Sequence, residues 1–167
     1  MELDPLNAPS LYGLGRQLRS IGRLDEAETA FRRALELDPN YPSAHRAIGR
    51  IYLARSNPAA ALQEMEQEKS AFWRRHGLAL AYFALGRKKE ADAALAEMIE
   101  KDSESWSYQI AQVYAFRGDA DKAFAWLERA LAQRDPGLPD IKGDPLVEDV
   151  RSDPRYAALL KRMGLPL

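Results

Sequence analysis

The sequence contains no cysteine. Disulfides, thiol nucleophiles and cysteine-based zinc sites are excluded, while the redox compartment is left open. Histidine is nearly as scarce. His45 and His76 stand apart in the chain, neither with a second ligand at metal-binding spacing, so no metal is expected. No glycine-rich phosphate loop and no Gly-x-Ser-x-Gly elbow occurs, and no cofactor is expected. No apolar run reaches the ~20 residues that a membrane helix needs. The N-terminus carries Glu2 and Asp4 where a signal peptide would be basic, and no apolar segment follows. The expected location is therefore the cytoplasm, without membrane insertion. A dominant charge is lacking too: the net charge is -1, so the whole-chain field favours neither nucleic acid nor a lipid surface as partner. Two groups of acids read as structural. Glu64, Glu66 and Glu68 alternate along a helix and are expected on a solvated face, and Asp144, Glu148 and Asp149 are expected to serve as helix caps. Nothing in this inventory signals an enzyme.

What the chain does contain is a repeated pattern. The stretch from Gly22 to Ala27 (GRLDEA) returns from Gly86 to Ala91 (GRKKEA), from Gly118 to Ala123 (GDADKA) and, with serine for glycine, from Ser56 to Ala61 (SNPAAA). Each lies between two amphipathic stretches of helical length. Glycine ends one helix in a left-handed conformation, and the next starts near Asp25, Pro58, Lys88 or Asp121. Before each turn a small residue faces a large one, as in Gly15 with Leu18 and Gly49 with Tyr52. After each turn an alanine is followed by a bulky apolar residue four positions on: Ala27/Phe31, Ala61/Met65, Ala91/Leu95 and Ala123/Leu127. Small residues let two helices approach, and large ones fill the space beside them.

This pattern resembles the tetratricopeptide repeat. The match is fullest over residues 8–41, where Leu11, Leu14, Gly15, Leu18, Ala27, Phe31, Ala34 and Pro39 fall in the family's places. The resemblance assigns residues 8–41, 42–71, 72–103 and 104–137 to four repeats. It implies an all-α fold: a right-handed α-solenoid of four helix pairs followed by a C-terminal capping helix. The second repeat is short, lacks the Asp-Pro-Asn closing turn and carries Glu68 where a small residue belongs. Trp73 is expected to supply the packing that proline gives elsewhere.

The ends carry further expectations. Glu2-Leu3-Asp4-Pro5 repeats the letters of Glu36-Leu37-Asp38-Pro39, so residues 1–7 read as the remnant of a preceding repeat, and the chain as a piece of a longer, bacterial-type protein. Self-association through the first helix follows as an expectation. Residues 138–167 break the repeat. Pro136 to Pro145 reads as an extended connector, Asp144-Pro145 and Asp153-Pro154 as caps with proline in the first helical position, and Pro154 to Met163 as a last helix covering the fourth repeat. The tail also resembles those that follow such repeats in bacterial multidomain regulators with nucleotide-cyclase or DNA-binding parts upstream.

The family resemblance implies that the first helix of each pair lines a concave face. The first three of these, roughly Pro9–Gly22, Pro42–Ser56 and Phe72–Gly86, contain Arg16, Arg19, Arg46, Arg50, Arg55, Arg74 and Arg75 and no acidic residue. Family geometry puts the second, fifth, ninth and twelfth positions of each repeat in the groove. These are Tyr12, Arg16 and Arg19; Arg46 and Arg50; Trp73, His76 and Phe83; and Tyr108 and Gln112. Arginine forks suit carboxylates and aromatic faces suit extended peptides. The Lys–Asn pairing of a chaperone-tail carboxylate clamp is absent, with Tyr12/Arg16 and Arg46/Arg50 in its places. The resulting expectation is a non-enzymatic protein–protein interaction module that takes an acidic or extended peptide or a partner domain. The alternative is a regulatory domain acting in cis on an upstream cyclase-like or DNA-binding domain.

Overall fold

The computed structural model describes residues 7–166. The remnant expected at Glu2–Pro5 lies outside them. Eight α-helices follow one another as four consecutive pairs: α1 (Ala8–Ser20) and α2 (Leu24–Leu37), α3 (Ala44–Ala54) and α4 (Pro58–Gln67), α5 (Ala71–Ala84) and α6 (Lys88–Asp102), α7 (Ser107–Phe116) and α8 (Ala120–Gln133). Two short 3-10 helices, Leu138–Gly143 and Pro145–Val150, lead to α9 (Pro154–Arg162). No strand occurs among the described residues, and none of their helices is long and apolar enough to cross a membrane. The chain forms two compact units, divided within α6 between Ala94 and Leu95.

The four turns are built alike. Gly22, Gly86 and Gly118 have φ of 79°, 71° and 74°, and Ser56 takes the same left-handed conformation at 55°. After each, the next backbone N–H reaches back to a carbonyl in the preceding helix: Arg23 to Leu18, Asn57 to Tyr52, Arg87 to Tyr82 and Asp119 to Tyr114, all at 2.9–3.0 Å. This is the Schellman closure, which satisfies carbonyls at a helix end. Asn57 and Asp119 then cap the following helices by accepting from the amides of Ala60 and Lys122.

In the first unit, α1 packs on α2, α2 on α3, and α3 on both α4 and α5. Phe31 is fully buried and stands over Gly15, where an added Cβ would lie 2.6–2.9 Å from its ring atoms. Met65 plays that part between α3 and α5: Cβ atoms at Gly49 and Gly77 would come within 2.9 and 2.7 Å of it. The alanines and bulky residues paired in the sequence are all buried. Glycine in a helix interior costs roughly 1 kcal/mol relative to alanine; here it lets an aromatic or thioether side chain reach the neighbouring backbone.

In the second unit, Ala111, Ala115, Phe124 and Leu127 of α7 and α8 share one core with Leu138, Ile141, Val147, Val150, Tyr156, Leu159 and Leu160. The tail thus completes this unit, and α9 closes it. The segment expected as an extended connector is instead the first 3-10 helix. Its prolines favour helical φ, and the 3-10 period of three places Leu138 and Ile141 on one buried face, as it does Val147 and Val150 in the second. Asp153 caps α9 by accepting from the Arg155 amide, and Gly164 ends it at φ 70°.

Candidate functional site

The site is laid out from the helix hairpins. In an antiparallel pair the end of the second helix lies beside the start of the first. A carboxylate at that end meets N–H groups that have no partner within their own helix, at the positive end of its dipole. Glu68, just past α4, is 1% exposed. It accepts hydrogen bonds from the Ser43 and Arg46 amides at the start of α3, at 3.1 and 3.3 Å, and from the Ser70 amide before α5 at 3.0 Å. Asp135, just past α8, accepts from the Tyr108 amide of α7 at 3.0 Å and from Gly137 at 2.9 Å. Arg46 is the third residue of α3 and Tyr108 the second of α7, so each carboxylate binds an amide in the first turn of its helix. The solvated face expected for Glu64, Glu66 and Glu68 holds only for Glu66: Glu64 and Glu68 are buried because both serve as acceptors.

Residues from three first helices converge in the first unit. The Tyr12 hydroxyl of α1 donates to Ser43 Oγ at 2.9 Å. Arg46 of α3 donates to the same Oγ from Nε and Nη2, at 3.2 and 2.9 Å. Its Nη1 lies 3.4 Å from Nδ1 of His76 on α5, and its guanidinium stacks 4.0 Å from the Trp73 ring centre. Trp73 meets His76 edge-on with ring centres 6.2 Å apart and packs against Phe72 at 4.5 Å. Tyr12 also packs on Phe31 and Tyr41. Tyr12, Arg46, Trp73 and His76, singled out in the sequence, therefore form one connected cluster, with Ser43 as the hub that sequence reasoning missed. Arg50 follows one turn after Arg46 and is buried to 8% exposure, against 6% for Arg46. Arg16 is exposed and Arg19 half-buried.

The second unit places Tyr108 and Gln112 differently. Both are buried, at 1% and 4% exposure. The Tyr108 hydroxyl donates to Asp144 Oδ2 at 3.0 Å, and Gln112 Nε2 donates to the same oxygen. The other oxygen of Asp144 accepts from the Leu146 amide at 3.1 Å and caps the second 3-10 helix. Two residues one turn apart on α7 thus hold a carboxylate from the chain's own tail.

A second polar network joins α2, α3 and α4. Glu28 accepts from Tyr52 at 2.8 Å, from Arg55 at 2.6 Å and from Arg32 at 3.0 Å. Arg55 also pairs with Asp25, Arg32 reaches Glu64 at 3.1 Å, and His45 Nδ1 donates to Glu64 at 2.8 Å. Burial pushes the Glu28 carboxyl up, but hydrogen bonds from Arg55, Tyr52 and Arg32 outweigh it and hold its pKa below the ordinary value. Part of the charge sorting read from the sequence is therefore pairing between layers. Arg55, on a first helix, complements acids on a second.

The sequence matches the profile of the TPR repeat over residues 15–55 and of the tetratricopeptide repeat over residues 76–139. The chain belongs to the tetratricopeptide-repeat family. Solved TPR structures share its fold. The thermophilic TPR protein TTC0263 of Thermus thermophilus is 25% identical, with a TM-score of 0.59 and coverage of 94% of this chain and 97% of that one. YrrB, described as a TPR protein with an unusual peptide-binding site, is 18% identical at a TM-score of 0.53 over 97% and 94% of the two chains. The type IV pilus biogenesis factor PilW is 15% identical at 0.56, over 95% and 79%. TPR modules mediate protein–protein interaction and are generally non-enzymatic scaffolds. Within this TPR chain, the residues missed from the sequence are the acids that end second helices. A signal was present: Asp38, Glu68, Asp102 and Asp135 recur at nearly the repeat spacing.

Proposed function

We propose that the chain is a protein–protein interaction module in which the first-helix residues of α1, α3 and α5 bind an acidic segment of a partner protein. The observation that supports this reading best is a register match. Arg46 and Arg50 hold the fifth and ninth positions of the second repeat, as Tyr108 and Gln112 do in the fourth, where they grip the Asp144 carboxylate. In the first unit the same two positions carry guanidiniums, which bind carboxylates through paired, charge-assisted hydrogen bonds. Ser43, His76 and Trp73 already hold Arg46 in place, so little rotamer freedom is left to lose on binding. Arg16, exposed on α1 one turn after Tyr12, adds a cation that steers an acidic partner at low salt.

The test is a peptide array of acidic, neutral and basic sequences, probed with the wild-type chain and with the Arg16→Glu/Arg50→Glu variant. Acidic peptides are expected to be retained by the wild type, less so as salt is raised, and released by the variant. Retention without regard to peptide charge, or retention unchanged by the charge reversal, refutes the proposal.

A further inference from the structure

We infer that the outer face of the first helix hairpin pairs with the same face of a second copy of this chain, forming a two-fold dimer. Three large apolar side chains stand exposed in that hairpin: Leu14 at 47%, Ile21 at 66% and Leu37 at 57%. Clustered exposed apolar side chains mark interaction surfaces. The second hairpin shows how such a position is covered. Ile48 precedes Ser56 by eight residues, as Leu14 precedes Gly22. Ile48 is fully buried, in one cluster with Ala27 and Phe31 of α2. In α3, therefore, α2 covers the face that α1 leaves open. Ile21 follows Leu14 by two turns and continues its stripe. Arg16 lies about 200° round the helix from Leu14 and stays clear of that stripe.

The charges on α2 identify the occupant. Glu26, Ala30, Arg33 and Leu37 recur every three or four residues and share one edge of the helix. That edge points away from α3, because Glu28 and Arg32, on the opposite side, bond to Tyr52, Arg55 and Glu64. Glu26 and Arg33 are exposed and lie about 6 and about 4.5 Å along the axis on either side of Ala30. A two-fold axis beside Ala30 that runs the two α2 helices antiparallel sets each Glu26 against Arg33 of the other copy. Glu26 also accepts from Arg23, and a carboxylate has acceptor sites for both. Ala30 is small enough to let the helices approach. Leu14 lies at the same level, because Gly15 and Phe31, the next residues of the two helices, are packed together. The same axis therefore brings Leu14 onto Leu14 of the other copy. A patch with an acid and a base placed evenly about one axis suits itself better than a partner of a single sign. At 13 residues α1 is about 20 Å long, and two helices side by side span about 20 Å. Each copy thus contributes on the order of 400 Å², half a standard interface, and the dissociation constant is expected on the order of 10–100 μM.

The experiment is analytical sedimentation of the full chain from about 5 to about 500 μM, a range that spans the expected constant. The wild type is expected to pass from monomer to dimer, and Leu14→Glu, at an exposed position, to remain monomeric. Glu26→Arg and Arg33→Glu are each expected to dimerise about tenfold more weakly, because each sets like charges together at both contacts. An equimolar mixture of these two variants pairs opposite charges again and is expected to associate with wild-type affinity. A purely structural role for Glu26 and Arg33 predicts no such recovery. A wild type that stays monomeric at every concentration overturns the inference, whether residues 1–6 of the chain or a different protein covers the patch. A dimer that survives Leu14→Glu, or a mixture no stronger than either variant alone, places the contact elsewhere and overturns it too.

Discussion

Replacing Glu68 tests whether the α3–α4 hairpin is held by a buried carboxylate. The Glu68 oxygens are unequal. Oε1 takes the amides of Ser43 and Ser70, and Oε2 takes that of Arg46. Ser43 and Arg46 are both buried, so neither amide gains water when the acceptor is removed. A buried donor left without a partner costs about 1–3 kcal/mol. The two together put Glu68→Ala at about 3 kcal/mol, a large share of the 5–15 kcal/mol that stabilises an ordinary domain. Glu68→Gln is expected to cost about half as much. Its amide oxygen can keep both Oε1 bonds, but its NH2 then faces the Arg46 amide, donor against donor. Glu66→Ala, at an exposed position two residues away, is the control and is expected within ~0.5 kcal/mol of wild type. Urea unfolding gives the three values, and amide exchange at Ser43 and Arg46 locates the loss. If Glu68→Ala unfolds within about 0.5 kcal/mol of the Glu66→Ala control, the capping argument is wrong and the three acids are a solvated face after all.

Further predictions concern packing, acid stability and the tail. Gly15→Ala places a Cβ 2.6–2.9 Å from the Phe31 ring and is expected to destabilise by roughly 1–2 kcal/mol, the overpacking cost less the helix-propensity gain. Gly13→Ala meets nothing within 4 Å and is expected to stabilise by up to ~1 kcal/mol; melting curves of the two separate packing from propensity. Glu28 has a folded-state pKa below its ordinary 4.5, so its contribution is present at neutral pH and is lost as pH falls through the folded value. Glu28→Gln is therefore expected to lower stability at pH 7 and to flatten its decline below about pH 4.5, measured by unfolding across pH. Asp144→Asn keeps an acceptor for Leu146 but turns an NH2 toward Tyr108 and Gln112. It is expected to cost about 2 kcal/mol and to raise amide exchange over residues 138–150 while leaving α1 and α2 unchanged.

Much of the fold was legible because its rules are local. Helix starts follow from the turn residues, and the sequence placed them within a residue of Leu24, Pro58, Lys88 and Ala120. Ser56 could be read as a glycine substitute because its neighbours repeat the other turns, and it does adopt a positive φ. The small-to-large pairs announced themselves by spacing, and Gly15 with Phe31 is the clearest result. The tail was legible in its caps and in its last helix, expected over Pro154 to Met163 and found over Pro154–Arg162. Proline and glycine density suggested an extended connector, whereas the three-residue spacing of Leu138 with Ile141 and Val147 with Val150 was the signal for 3-10 turns.

The candidate site was less legible, for a reason that the acids make plain. Counting charges along helices treats each helix as a cylinder facing solvent, so Glu64, Glu66 and Glu68 look equivalent. An antiparallel hairpin breaks that equivalence. Its geometry sets the residue just past the second helix against the bare amides of the first, and a carboxylate there is drawn into the interior. Glu68 and Asp135 obey this rule in two separate hairpins, one by a glutamate and one by an aspartate. Past Glu68, Ser70 and α5 follow almost at once, and the Ser70 amide shares the same carboxylate. The same geometry fixes where Arg46 begins its turn of helix. The backbone of a cation singled out in the sequence is thus anchored by an anion expected on a solvated face.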